Sequence, residues 1–155
     1  MSGFVVDFET QQLIDFLLAE ASKLEQKKAV KKGLMNAARI FVARGKLNLQ
    51  TRLLGHGGVG NLMRAFRTKW RQKNLTAYAG FFRKGDLGAR AQFGNHAHLV
   101  DLGSGPRFTD SGAYQGVMPA NYFWHDARFT EEKAAYEAIY DGVQEAIQRM
   151  QSRLN

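Results

Sequence analysis

Between residues 95 and 107 the chain reads NHAHLVDLGSGPR, which gathers His96, His98 and Asp101 next to a glycine-rich turn and Arg107. Imidazole nitrogens and a carboxylate are donors that zinc or another transition metal accepts. Glycine amides beside an arginine would suit an anion instead. Read as a strand, HAHLVDL points His96, His98 and Val100 to one side and Ala97, Leu99 and Asp101 to the other, because successive side chains alternate. Two histidines two apart can chelate, but a site needs a third ligand, and Asp101 faces away. His125, in YFWHDARF, is the candidate that folding would have to deliver. Without it the histidines are partly exposed strand residues. In GSGPR, Pro106 removes an amide donor and no helix clearly starts there, which disfavours a phosphate loop. No Ser-His-Asp order and no paired carboxylates stand out, so the expectation is no enzyme activity, no metal and no cofactor.

The elements that would position these residues are bounded by composition. A chain of 155 residues, 45% apolar and 23% charged, is that of an ordinary globular protein with a real core. There is no cysteine, which removes disulfides and thiolate metal sites. The start, MSGFVVDFETQQ, lacks the basic and apolar regions of a signal peptide. No apolar run reaches the ~20 residues that span a bilayer.

Charge is unevenly distributed. The chain has 22 basic and 14 acidic residues, yet no Asp or Glu lies between Gln26 and Gly85. That window holds 15 of the basic residues, which leaves 7 basic against all 14 acidic residues in the flanks. A surface of this kind can face a polyanion such as DNA, meet the acidic surface of a neighbouring copy, or simply be solvated.

Leu13, Phe16, Leu17, Ala21 and Leu24 recur at helical spacing behind Thr10, which predicts a helix over about 10–25. Val30, Leu34, Ala37, Ala38 and Phe41 continue the pattern to about 44, so the helical region covers 10–45. Within it Lys27 and Lys31, and Lys28 and Lys32, fall four apart; like charges so placed oppose the helix slightly and favour an external anion. LGHGGVGN follows a helix and lacks a G-x-x-x-x-G-K-[ST] pattern, so Gly55, Gly57, Gly58 and Gly60 read as a connector.

FRTKWRQK then alternates. As a strand it sets Arg67, Lys69, Arg71 and Lys73 on one face and Phe66 and Trp70 on the other, although Leu62, Phe66 and Trp70 also fit a helix. After the short turn KN, LTAYAGFF suggests the second strand of a hairpin, and HAHLVDL a third. The sheet region is 61–102. Residues 103–118 read as a long loop, of the kind that is usually functional or mobile. Phe108 and Tyr114 are its aromatic anchors, with Arg107 beside them. The last helix covers 130–153, with Thr130 as cap, Glu131 and Glu132 in the first turn, and a stripe of Ile139, Val143, Ile147 and Met150. The fold class is therefore α+β, in one domain over 1–155. A small antiparallel sheet of three to four strands packs against two N-terminal helical segments and one long C-terminal helix.

From about residue 29 to 150 the chain resembles the small tail-completion, or neck, proteins of long-tailed bacteriophages, the gene-product-ten-like family of lambdoid phages. The similarity rests on three short motifs. One is G-x-L-x-x-[SA], at Gly60, Leu62 and Ala65. The second, a strand in that family that ends at the long loop, is Y/H-A-x-x-V-[ED]-x-G-[TS], at His96, Ala97, Val100, Asp101, Gly103 and Ser104. The third is a proline-aromatic-alanine segment, at Pro119, Phe123 and Ala127. The chain departs from the family in its longer PANYFWHDA segment and its basic middle.

The resemblance implies a virion protein that lies in the host cytoplasm during assembly. It would form a homo-oligomeric ring, of six copies, that joins tail to head and lets DNA cross its lumen. Neighbouring neck and tail-terminator or tail-tube proteins would be its partners, with non-specific contact to phage DNA and none to a membrane. Val100 would pack in the core, Gly103, Gly105 and Pro119 would shape the turns, and Arg107, Phe108 and Tyr114 would reach a neighbour. Lys27, Lys28, Lys31 and Lys32, with Arg67, Lys69, Arg71 and Lys73, would face DNA or an acidic subunit. The alternatives are a stand-alone basic nucleic-acid-binding protein and, third, a metal-dependent nuclease. If His96, His98 and His125 are bystanders, elemental analysis of purified protein will find no stoichiometric zinc or manganese. One tightly held ion per chain, lost on His98→Ala, would overturn this.

Overall fold

The computed structural model describes residues 12, 15, 19, 21–52, 59–81 and 96–154. Its longest element is α1 (Lys23–Arg52). Gln12, Asp15 and Ala19 are helical too, but most of the helix expected over 10–25 lies outside the described residues. Rather than running through residue 25, the chain restarts at Ser22. The Ser22 hydroxyl accepts the Glu25 amide at 3.3 Å, and the Glu25 carboxylate accepts the Ser22 amide at 3.0 Å. This reciprocal pair satisfies two amides that a new helix leaves open. The S-x-x-E signal for it stands in the sequence. The helix then continues past 44 to Arg52, through Leu49, which is fully buried.

Gly55, Gly57 and Gly58 of the expected connector lie outside the described residues, while Gly60 falls in α2 (Val59–Ala65). Strands β1 (Phe66–Arg71) and β2 (Thr76–Phe81) form the expected antiparallel hairpin, paired from Phe66↔Phe81 to Arg71↔Thr76. Its turn is Gln72–Leu75 rather than Lys73–Asn74 alone, with Leu75 in the left-handed region at φ 47°. One face of this hairpin lies on α1. Phe66 stacks on Phe81 at 4.6 Å and meets Trp124 edge-on at 5.1 Å. The Phe66 ring occupies the space where a Cβ on Gly45 would be, so the strand sits directly on the helix backbone.

Two expectations over 96–118 are corrected. HAHLVDL is a short helix, α3 (Ala97–Leu102), not a third strand. Ala97, Val100 and Asp101 turn inward together, an i, i+3, i+4 set; in so short a run the two periods cannot be told apart beforehand. The stretch 103–118 is not a loop. It is a second hairpin, β3 (Ser104–Phe108) and β4 (Tyr114–Met118), bulged between Ser104 and Arg107 and again before Phe108. Both strands are largely exposed, so no buried face imposed an alternation to read. The described residues thus hold two two-stranded sheets, not one sheet of three or four.

After Tyr122, itself left-handed at φ 55°, come α4 (Phe123–Thr130) and α5 (Glu132–Leu154). Thr130 ends α4 instead of capping the last helix. Helix α5 lies along α1 as the stripe predicts: Ile147 is buried with Ala29, and Val143 and Met150 pack against them. The two backbones touch. A Cβ on Gly142 would stand 2.6 Å from the Gly33 Cα, and one on Gly33 would overlap the Ile139 carbonyl. Among the described residues no helix is long and apolar enough to cross a membrane.

Gly33→Ala measures this contact. Alanine favours an isolated helix by about 1 kcal/mol over glycine, whereas overpacking a close contact costs about 1–3 kcal/mol. A net loss, read as a lower urea midpoint, is expected; a gain would mean that the helices part without penalty.

Candidate functional site

Basic residues of the acid-free window, the expected ones among them, fall into three groups by what they touch. The first belongs to the fold. Lys32 pairs with Glu145 of α5 at 2.6 Å, Arg44 with Glu131 at 3.5 Å, and Arg52 with Asp126 of α4 at 2.7 Å. In each pair a cation from the acid-free window meets an acid from the flank. Part of the charge polarity is therefore satisfied inside the chain. The Lys32 hydrogen bond, assisted by Arg149, holds the Glu145 carboxyl below its ordinary pKa. Hydrogen bonds from Arg52 and then His125 do the same for Asp126.

The second group is Lys27, Lys28 and Lys31. They lie on the first turns of α1, where the β1–β2 turn comes close. With Leu24, Trp70, Gln72 and Leu75 they line a recess of about 200 Å³. The Lys31 ammonium stands over the Trp70 ring at 5.8 Å, within reach of a cation–π attraction. Lys73 is exposed on the same turn. The third group is on the hairpin face turned away from α1. Arg67 is exposed and donates to the Arg64 carbonyl at 2.7 Å, and Arg71 stands 5.4 Å from the centre of the Tyr78 ring. Lys69 lies between them, opposite Tyr78 in the register. The alternation of FRTKWR is thus what directs these cations outward while Phe66 and Trp70 face the helix.

The opening constellation does not converge on a metal. His96 and His98 are exposed, and Asp101 is buried with its carboxylate already engaged. Its Oδ1 accepts the amides of Trp124 at 2.7 Å and His125 at 3.3 Å, the second and third residues of α4. Its backbone carbonyl accepts those of Asn121 and Tyr122. Asp101 therefore caps a helix that begins 22 positions later, which Tyr122 cannot do for itself. Among the described residues no group of three His, Cys, Asp or Glu side chains could hold a metal ion. Two further braces meet at this junction and were not foreseen. The buried Asn48 amide donates to the Phe123 carbonyl at 3.0 Å, and Arg52 donates to the Asn121 carbonyl at 2.7 Å.

The β3–β4 hairpin leaves from this junction. Gly103, at φ 77°, admits the chain where a Cβ would come within 2.8 Å of both the Ala120 amide and the Met118 carbonyl. Gly103 thus takes a positive φ at a close approach, whereas Gly105 lies in open space and Pro119 is exposed beyond the far strand. The Ser104 hydroxyl accepts the Met118 amide at 3.2 Å and closes the base. At the other end the Thr109 hydroxyl accepts the Ala113 amide, and Gly112 takes φ 83°. T-D-S-G was a hairpin signal in the sequence. Between these ends Phe108 and Tyr114 pair across the strands at 5.5 Å, and they remain 63% and 62% exposed. Arg107 is exposed beside them. Two aromatic rings paired in water bury little of their area in the chain itself. Such area is what aromatic residues contribute at interfaces.

The chain matches no protein-family model, no curated protein and no solved structure.

Asp101→Ala removes the acceptor for two amides at the start of α4. Loss of a cap costs about 0.5–2 kcal/mol, and amides left buried without partners raise the cost. A lower denaturation midpoint is expected, with Asp101→Asn nearer to wild type because one acceptor oxygen remains. An unchanged Asp101→Ala variant would show that the carboxylate does not hold α4.

Proposed function

We propose that this chain is a structural protein of a phage neck, a tail-completion subunit that joins tail to head. The observation that carries it is the β3–β4 hairpin, a contact element presented on a braced base with its aromatic pair in solvent. In this role Phe108, Tyr114 and Arg107 engage a neighbouring subunit or neck protein. The outward face of Arg67, Lys69 and Arg71 and the lysine recess meet DNA through its phosphates, without reading sequence. Assembly into a six-fold ring at the head-to-tail junction belongs to the same reading, supported by the motif resemblance.

One observation favours a second reading. Three lysines around Trp70 combine phosphate-binding charge with an aromatic surface, the pairing used by stand-alone nucleic-acid-binding proteins. The nuclease alternative has less to draw on, since Asp101 is committed to α4.

Phe108→Ala combined with Tyr114→Ala separates these. Exposed positions away from caps and cores change stability by about 0.5 kcal/mol or less, so the melting temperature should stay nearly constant. Phage assembled with this variant should accumulate filled heads and free tails. Normal joining would sink the neck reading. Tight, sequence-selective duplex binding at ~150 mM salt, where phosphate contacts alone give about 10⁻⁴–10⁻⁶ M, would favour the nucleic-acid reading.

A further inference from the structure

Among the described residues the hairpin tip is one exposed apolar surface. Another is a groove of about 430 Å³ bounded by α1, β2, α4 and α5. Leu34, Phe41, Ala79, Trp124 and Ile139 form its apolar lining. Its lip carries Phe129, 68% exposed, from which the aromatic row continues to His125 at 4.8 Å and on to Tyr122. Open apolar surface of this kind marks a binding site more often than chance. Two charged residues also line it, Arg128 and Glu132, both exposed.

We propose that the occupant of this groove is the β3–β4 tip of a second copy of the chain. Three observations select it. The tip offers two adjoining rings on one two-stranded ribbon, a wedge for an apolar slot whose volume lies within the ~300–1,000 Å³ of ordinary binding pockets. Charges match as well. Arg107 and Asp110 flank Phe108 on the tip, and Glu132 and Arg128 line the groove, one of each sign on each side. No ion pair joins any of these four to another described residue. Finally, the tip does not fill the groove of its own chain, because its rings are mostly in solvent and its base is clamped at Gly103.

Tip and groove are different surfaces, so the contact is head-to-tail. Repetition yields a closed ring when the rotation allows, and an open filament when it does not. The inference rests on reading the hairpin as a contact element, and it names the partner and the place that receives it.

Two charge-reversed variants test it. One carries Arg107→Glu with Asp110→Arg on the tip; the other carries Arg128→Glu with Glu132→Arg in the groove. Each alone should weaken self-association tenfold or more in sedimentation velocity, because like charges then face each other. A 1:1 mixture should restore it, since every tip again meets a groove of opposite pattern; a contact within one chain gains nothing from mixing. Circular dichroism of each variant confirms that it is folded. Wild-type chain that stays monomeric up to about 1 mM would overturn the inference. Reversals that leave association intact, or a mixture no better than its components, would overturn it equally. The neck reading fails by a different result, normal head-to-tail joining by the Phe108→Ala, Tyr114→Ala variant. It survives if the chain proves monomeric but that variant still blocks joining.

Discussion

The contact of Gly33 with Gly142 is the constraint on which the rest of the arrangement depends. Where a Cβ on either residue would collide with the other helix, α1 and α5 lie backbone to backbone, and ridges of larger side chains can mesh only on either side of that point. Ala29 and Ile147 close one side. The ion pairs Lys32–Glu145 and Arg44–Glu131 run along the same seam. Pairs as exposed as these, screened by water, contribute little to stability. Close packing therefore holds the helices, while the charges help to set their register. Further along α1 the same device recurs at Gly45, which admits the Phe66 ring and so decides where the first hairpin rests.

Much of this was legible where one face of an element is buried. The stripe of Ile139, Val143, Ile147 and Met150 has the helical period because it faces α1. Phe66 and Trp70 alternate with Arg67, Lys69 and Arg71 because only one side of β1 meets a helix. Legibility failed where burial did not impose a period. SGPRF and YQGVM are exposed on most positions, so their pairing rests on a turn and a clamped base rather than on hydrophobic alternation. HAHLVDL is too short for either period to prevail. Its decisive residue, Asp101, looked like a ligand because carboxylates serve metals and helix starts equally well. Only the position of Trp124 and His125 in space tells which amides it serves. The break at Ser22 was readable, but the apolar spacing ran across it and concealed it.

The candidate site shows the same division. Which residues are basic was plain; which of them remain available was not, since Lys32, Arg44 and Arg52 find their acids 113, 87 and 74 positions away only after folding brings α1 against α4 and α5. The aromatic pair at 108 and 114 was picked out by composition alone. What composition did not show is the hairpin, which sets the two rings side by side across the strands.

The outward face of β1 has a consequence for how such a chain changes over generations. Phe66 and Trp70 carry the packing, and the cations that alternate with them lie on the opposite face. Because a strand alternates sides, substitutions at Arg67 or Arg71 leave the packed face untouched. The electrostatic character of that surface is therefore an independent variable, able to drift from basic to neutral to acidic under a fixed backbone. Among descendants of one fold, attraction to a given polymer would diverge faster than architecture.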